Sequence, residues 1–221
     1  MPIRAVFFDV GETLIDESRI WGGWADWLGT PRSTFFALLG SLIERDRDHL
    51  EIFELLRPGF DLAAEEQARA AAGVPNRFDV NDLYPDVRPA FDRLSAAGYQ
   101  VGIAGNQPER AAASLREMGL GVDLVLTSAA MGVEKPDPRF FVRVAEMSGH
   151  APSEIAYVGD RVDNDVLPAL GAGMRSVFLR RGPWGHIHAQ RPEIHRAAAR
   201  ITGLDQLPGA LAAMEDRRVA P

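Results

Sequence analysis

Four short signals carry side chains suited to chemistry: Asp9, Gly105-Asn106, Lys135-Pro136, and Gly159-Asp160 with Asp165. Asp9 closes the apolar run Ile3, Ala5, Val6, Phe7 and Phe8, the pattern of a parallel strand buried on both faces. Its carboxylate therefore stands at the strand's C-terminal tip, where open α/β sheets bind their ligands. Gly11 lets the backbone turn tightly behind it. A strand ended by a helix cap accounts for the same residues, since Asp9 or Thr13 could serve as an N-cap. Lys135 is the chain's one lysine. Because arginine supplies the rest of the basicity, a lysine flanked by Glu134 and Pro136 is a candidate for a fixed role rather than a solvated loop residue.

Alternating strands and helices are what can bring these signals together. From Tyr84-Pro85-Asp86 onward, the patterns predict an amphipathic helix over 87–97 closed by Gly98 and a buried strand over 99–104. A helix over 108–118, a short strand over 124–126 and a helix over 138–148 follow. Strands over 155–158 and 176–179 flank a helix from about 163 to 170, with Asp163 read as its N-cap rather than as a ligand. This alternation predicts a parallel, doubly wound sheet. Between Asp16 and about residue 73 the period is helical. Trp21, Trp24 and Trp27 recur every three residues, Phe35 to Ile43 continue an apolar face, Arg57-Pro58-Gly59 interrupts, and Gly73-Val74-Pro75 ends the run. The tryptophan stripe is expected to pack between helices. An insertion of this size after a first strand makes a helical cap, able to exclude water and select substrates. His186 and His188 lack a nearby acidic partner in sequence and are expected on an exposed loop. The tail from Asp205 reads as a short helix and then a loose end.

With 221 residues, 46% hydrophobic and 25% charged, the chain can bury one sizeable core with a smaller unit beside it. A net charge of -7 argues against a nucleic-acid surface, which needs clustered Lys and Arg. No apolar run approaches the ~20 residues that span a bilayer, and no signal-peptide pattern precedes the first strand, so a cytoplasmic protein without a membrane partner is expected. The absence of cysteine excludes disulfides, thiolate metal sites and a Cys nucleophile.

Taken in order at successive strand ends, Asp9, Gly105-Asn106, Lys135-Pro136 and Gly159-Asp160 with Asp165 resemble the motifs of the haloacid dehalogenase (HAD) superfamily, whose members are mostly phosphatases. The resemblance implies a Rossmann-like, doubly wound α/β core over 1–16 and 84–221, with an α-helical cap domain at 17–83. It also implies a Mg²⁺-dependent phosphatase acting on a small phosphorylated metabolite through an aspartyl-phosphate, as a monomer or homodimer. By that likeness Asp9 is the nucleophile, and Mg²⁺ is held by Asp9, the Gly11 carbonyl, Asp160 and Asp165. Lys135 neutralises the phosphate and the attacking carboxylate, while the amides of Val10 and Asn106, beside Gly105, cradle phosphate oxygens. The chemistry requires such a gathering, because a phosphoryl group repels an incoming carboxylate unless cations and donors offset its charge. Mg²⁺ in turn prefers oxygen ligands.

Two positions depart from the family pattern. Gly11 stands where phosphatases of the family carry a second Asp, the acid to the leaving group, with Glu12 offset by one residue; Gly105 stands where a Ser or Thr hydroxyl holds the phosphate. A 2-haloacid dehalogenase, which also lacks that second Asp but needs no metal, and a weakened fold kept for binding are the alternatives. The retained Asp160 and Asp165 favour the metal-dependent reading.

Overall fold

Short apolar runs too brief for a stable helix become the strands of one sheet. The computed structural model describes residues 2–216, and its strands are β1 (Ala5–Phe8), β2 (Gln100–Gly105), β3 (Leu124–Thr127), β4 (Ile155–Gly159), β5 (Arg175–Leu179) and β6 (Ala199–Ile201). All pair in parallel, in the order β3-β2-β1-β4-β5-β6. This is a doubly wound α/β sheet, with β1 at its centre. Phe8 pairs with Ile103 on one side and Val158 on the other, so the tips of β1, β2 and β4 end nearly level. The Asp9 N–H extends the ladder, donating to the Val158 carbonyl at 2.9 Å.

Helices pack on both faces. The insertion after β1 holds α1 (Ser18–Trp27), α2 (Arg32–Glu44), α3 (Glu51–Leu56) and α4 (Leu62–Ala71). The sheet unit then continues with α5 (Val87–Ala96), α6 (Glu109–Glu117), α7 (Ser128–Met131), α8 (Pro138–Ser148), α9 (Leu167–Gly171), α10 (Gly182–His188) and α11 (Leu207–Asp216). On one face of β1, Phe8 meets Phe91 of α5 with ring centroids 4.8 Å apart. On the other, Phe7 joins Phe140 and Phe141 of α8 and Tyr157 of β4 in a buried cluster. Helix α8 starts where the Asp137 carboxylate accepts from the Arg139 N–H, with Pro138 in the first turn, and it stops at Gly149 in the left-handed conformation.

The chain divides into two compact units, 1–15 with 83–221 and 16–82. In the helical unit, Trp24 is buried against Phe53 and Phe60, which stack on each other, and Trp21 packs on Phe35 and Phe53. Trp27 is half-buried and donates from Nε1 to Glu65 Oε2 at 2.6 Å, tying α1 to α4. The two ends of this unit meet. The Asp16 N–H donates to the Asp82 carbonyl at 2.7 Å, and the Arg19 guanidinium grips the buried Asp82 carboxylate through Nε and one terminal nitrogen. In the sheet unit, Ile15 and Leu83 form an antiparallel bridge, and the Tyr84 N–H donates to the Leu14 carbonyl.

The structure corrects several sequence expectations. A sixth strand, β6, joins the sheet after only three residues, Ala-Arg-Ile, too few to show a period. The stretch holding His186 and His188 is not a loop but helix α10, started by Pro183, with Trp184 and His188 buried. The helix expected from about 163 with Asp163 as its N-cap begins instead as a wide π-type turn, Val162–Val166, and continues as α9, whose N-cap position is Val166. Residues 204–206 form a 3₁₀ turn before α11, and the loose end expected beyond it lies outside the described residues. No helix among the described residues is long and apolar enough to cross a membrane.

Gly102 pairs with Phe7, and a Cβ there would lie 2.2 Å from the Phe7 ring. Gly102→Ala is expected to cost about 1–3 kcal/mol by forcing that ring off its site. Thermal unfolding should show a midpoint lower by several degrees.

Candidate active site

Lys135 is 3% exposed, and its ammonium bonds Asp9 Oδ1 at 2.7 Å and Asp165 Oδ1 at 2.6 Å. The lysine's backbone is held as firmly as its head. Asn106, just past β2, donates from Nδ2 to the Lys135 carbonyl and accepts the Lys135 N–H on Oδ1, both at 2.8 Å. Below lie the rings of Tyr157 and Phe140, 5.4 and 5.9 Å from the ammonium, and the Tyr157 hydroxyl donates to the Ala104 carbonyl at 2.6 Å. Burial alone would lower the lysine's pKa, but Asp165 and Asp9 outweigh it and hold the group charged well above its ordinary range.

The acidic side of the site forms where β4 ends. Asp9, Asp160 and Asp165 each offer a carboxylate oxygen within 4.8 Å of the others, all buried. Asp165 folds back over Gly159, where a Cβ would lie 2.3 Å from its carboxylate, and Oδ2 accepts the Arg161 N–H at 2.9 Å. The π-type turn is fixed from outside by His188 of α10, whose Nδ1 accepts the Val162 N–H at 3.0 Å. Arg161 pairs with Asp163 and lies over the Trp184 ring. Burial, then Asp165, Asp9 and Glu12, push the Asp160 carboxyl well above the ordinary range. Burial, relieved by Lys135, leaves Asp165 pushed up to about 6. Asp160 Oδ2 is buried with no hydrogen-bond partner. An orphaned oxygen within a knot of carboxylates that resist ionising together is what a hard divalent cation would satisfy, so the residues fit such an ion.

The chain's two departures take physical form here. Gly105 abuts Asp9, and a Cβ there would lie 2.9 Å from Asp9 Oδ1 and 3.0 Å from a Val10 methyl, so a hydroxyl-bearing residue would displace the carboxylate. The left-handed backbone of the turn falls not on Gly11 but on Glu12, with φ of +53°. Glu12, one residue on, is buried. It is 4% exposed, its Oε2 accepts the Tyr84 hydroxyl at 2.7 Å, and its charge acts on Asp160.

The structure thus gathers Asp9, Lys135, Asp160 and Asp165, sets Gly105 against Asp9, and bonds the Asn106 side chain to the Lys135 backbone. Val10 is buried at the start of the turn and Gly11 half-buried. Beside Lys135 and Asn106 opens a groove of about 820 Å³, with Gln107, Ser128, Glu134 and Arg139 on its walls. The sequence reading missed Tyr157, Arg161 and His188. Tyr157 sits inside an apolar strand, and the other two act through backbone and ring contacts that no spacing announces.

A family model described as haloacid dehalogenase-like hydrolase matches residues 3–173. The glyceraldehyde 3-phosphate phosphatase of Methanopyrus kandleri is 31% identical over 210 residues, covering 82% of this chain and 86% of that protein. The enzyme of the same name from Pyrococcus furiosus is 28% identical, covering 93% and 91%. Among solved structures, the magnesium-bound HAD-hydrolase YfnB of Bacillus subtilis superposes with a TM-score of 0.71 at 17% identity, covering 96% of this chain and 99% of that one.

The raised carboxyls give a signed prediction. Asp160 and Asp165 keep their protons in the folded chain at pH values where the unfolded chain has released them, so folding takes up protons. Their cost to stability is absent at low pH and grows as pH rises through the carboxylate range, for Asp165 between about 4 and 6. In EDTA, Asp160→Asn should therefore melt above wild type by a few degrees, with the gap widening from about pH 4 to pH 7 in paired thermal scans.

Proposed function

This chain belongs to the haloacid dehalogenase-like hydrolases, and on that premise we propose that it is a Mg²⁺-dependent phosphatase acting on a small phosphorylated metabolite through an aspartyl-phosphate. The observation that carries the reading is the buried lysine bonded to both Asp9 and Asp165, with Asp160 within reach of the same point. The relatives named as phosphatases of a three-carbon phosphate support the substrate class.

Asp9 is the nucleophile. Its carboxylate, oriented by Lys135 at Oδ1, attacks phosphorus and displaces the alcohol, and water then opens the acyl phosphate to return Asp9 and inorganic phosphate. Lys135, fixed at both backbone and ammonium, offsets the charge of the incoming phosphate without needing to reorganise. Amides of Val10 and Asn106 serve as donors to the phosphate oxygens. Asp9, Asp160, Asp165 and the Gly11 carbonyl are the residues that would hold Mg²⁺, which when bound would supply positive charge to offset that of the phosphate. We assign the helical insertion, 17–83, the role of a cap that selects substrate.

Gly11 has no proton to give the leaving group. Hydrolysis is therefore expected to depend steeply on leaving-group pKa, with kcat/KM for p-nitrophenyl phosphate exceeding that for sugar phosphates by about 10²–10⁴, the usual worth of a general acid. Gly11 is not in the left-handed region, so Gly11→Asp should fit the turn and recover part of the alkyl phosphate turnover. Asp9→Asn should abolish turnover while leaving the circular dichroism spectrum unchanged. Equal activity in that variant would remove the mechanism, and metal-independent turnover of 2-chloropropionate in place of phosphate esters would reassign the reaction to carbon.

A further inference from the structure

Between Asp160 and Asp165 lies one peptide group that is held at both ends. Its carbonyl, that of Arg161, accepts the N–H groups of Asp165 and Val166, both at 3.1 Å. Its N–H, that of Val162, donates to His188 Nδ1 at 3.0 Å. Because a peptide group is a rigid plane, fixing the N–H also fixes the direction of the carbonyl, and with it the main chain of Asp165. Val162 opens the turn, where a helical N–H finds no carbonyl within the turn itself. Its side chain is buried among Val166, Phe178 and Ile194, so water is a poor substitute for the imidazole.

The seating of α10 brings His188 to this point. Gly185 lies against the end of β5, where a Cβ would come 2.9 Å from the Leu179 carbonyl oxygen, so only glycine lets the helix approach this closely. Trp184 and His188, four residues apart on α10, then meet successive residues of the turn. The Trp184 ring lies 5.3 Å from the Arg161 guanidinium, and His188 takes the N–H of Val162. Arg161 bonds both carboxylate oxygens of Asp163, at 3.2 and 2.6 Å. Asp163 Oδ1, 3.6 Å from His188 Nδ1, is thereby engaged by the arginine. A main-chain N–H can only donate, so Nδ1 presents its lone pair to Val162 and the ring's proton stands on Nε2.

We infer that His188 is a positioning residue for the acids of the site: by fixing the peptide between Arg161 and Val162, it presets Asp160 and Asp165 to receive a divalent cation. This rests on the metal-dependent reading above. The role belongs to the acceptor at the δ1 position and not to the bulk of the ring. Asparagine places an oxygen at that position, glutamine carries its oxygen one bond further out, and leucine fills space with no acceptor.

The test is a calorimetric titration of MgCl₂ into the EDTA-stripped, dialysed full chain, as wild type, His188→Asn, His188→Gln, His188→Leu and Asp160→Asn. Thermal midpoints are measured in EDTA, and the titrations are run below all of them. His188→Gln and His188→Leu are expected to weaken Mg²⁺ about 10- to 100-fold, as loss of groups that orient a metal's ligands commonly does, whereas His188→Asn should stay near wild type. A histidine that served only the fold would lower the midpoint in EDTA and leave the Mg²⁺ affinity of the folded chain unchanged. Wild-type affinity in folded His188→Leu overturns the inference, as does an equal loss in His188→Asn and His188→Leu, and either leaves the phosphatase reading intact. His188→Gln carries the same comparison if the leucine variant does not fold. Absence of Mg²⁺ binding in wild type, matching Asp160→Asn, overturns the metal-dependent reading and this inference with it.

Discussion

A lysine ammonium withdrawn from water must be matched by carboxylates held in contact with it, and much of this structure serves that requirement. Lys135 reaches Asp9 at the tip of the central strand and Asp165 beyond β4, and its backbone is clamped by Asn106 beyond β2. One residue therefore links the ends of three adjacent strands. Desolvating such a group is expensive, and the expense is met only while every partner is present, since a buried charge left unpaired costs several kcal/mol. The level tips of β1, β2 and β4, set by the pairing of Phe8 with Ile103 and Val158, bring the partners within reach.

The same crowding governs the acids. Carboxylates this close cannot all ionise cheaply, and the raised pKa values of Asp160 and Asp165 record that conflict, with Lys135 relieving it most for Asp165. Room for the cluster comes from missing side chains. Gly159 clears space for Asp165 and Gly105 for Asp9, so two positions that look featureless in sequence act by absence. Gly105 is in this light less a lost phosphate donor than a condition for the pose of Asp9.

What could be read from sequence was whatever obeys local rules. Strand β1 is legible because five apolar residues end on an acid, and α8 because Asp137, Pro138 and Gly149 mark its ends. Asp9 and Asp160 stand out as acids at the ends of apolar runs, and Lys135 as the chain's one lysine, flanked by Glu134 and Pro136. Strand β6 was not legible, because three residues hold no period and its place depends on pairing with β5. Helix α10 was hidden by Gly182, Pro183 and Gly185, which read as loop residues but here open a helix whose Trp184 and His188 are buried. Glu12 was hidden for a deeper reason: its partner Tyr84 is 72 residues away, and its left-handed backbone is a property of the folded turn.

The meeting of the insertion's two ends has an architectural consequence. Ile15 and Leu83 pair directly, and Asp16 and Asp82 are joined by a backbone hydrogen bond, so the chain leaves the sheet unit and returns to it at one doorway. A detour between fixed, adjacent endpoints adds little closure entropy as it lengthens, growing only with the logarithm of its length. The doorway, and not the length or content of what lies beyond it, is what the sheet must preserve. This makes the Ile15–Leu83 step a natural graft point, where the helical module could be exchanged for another of different size without altering the pairing of the sheet.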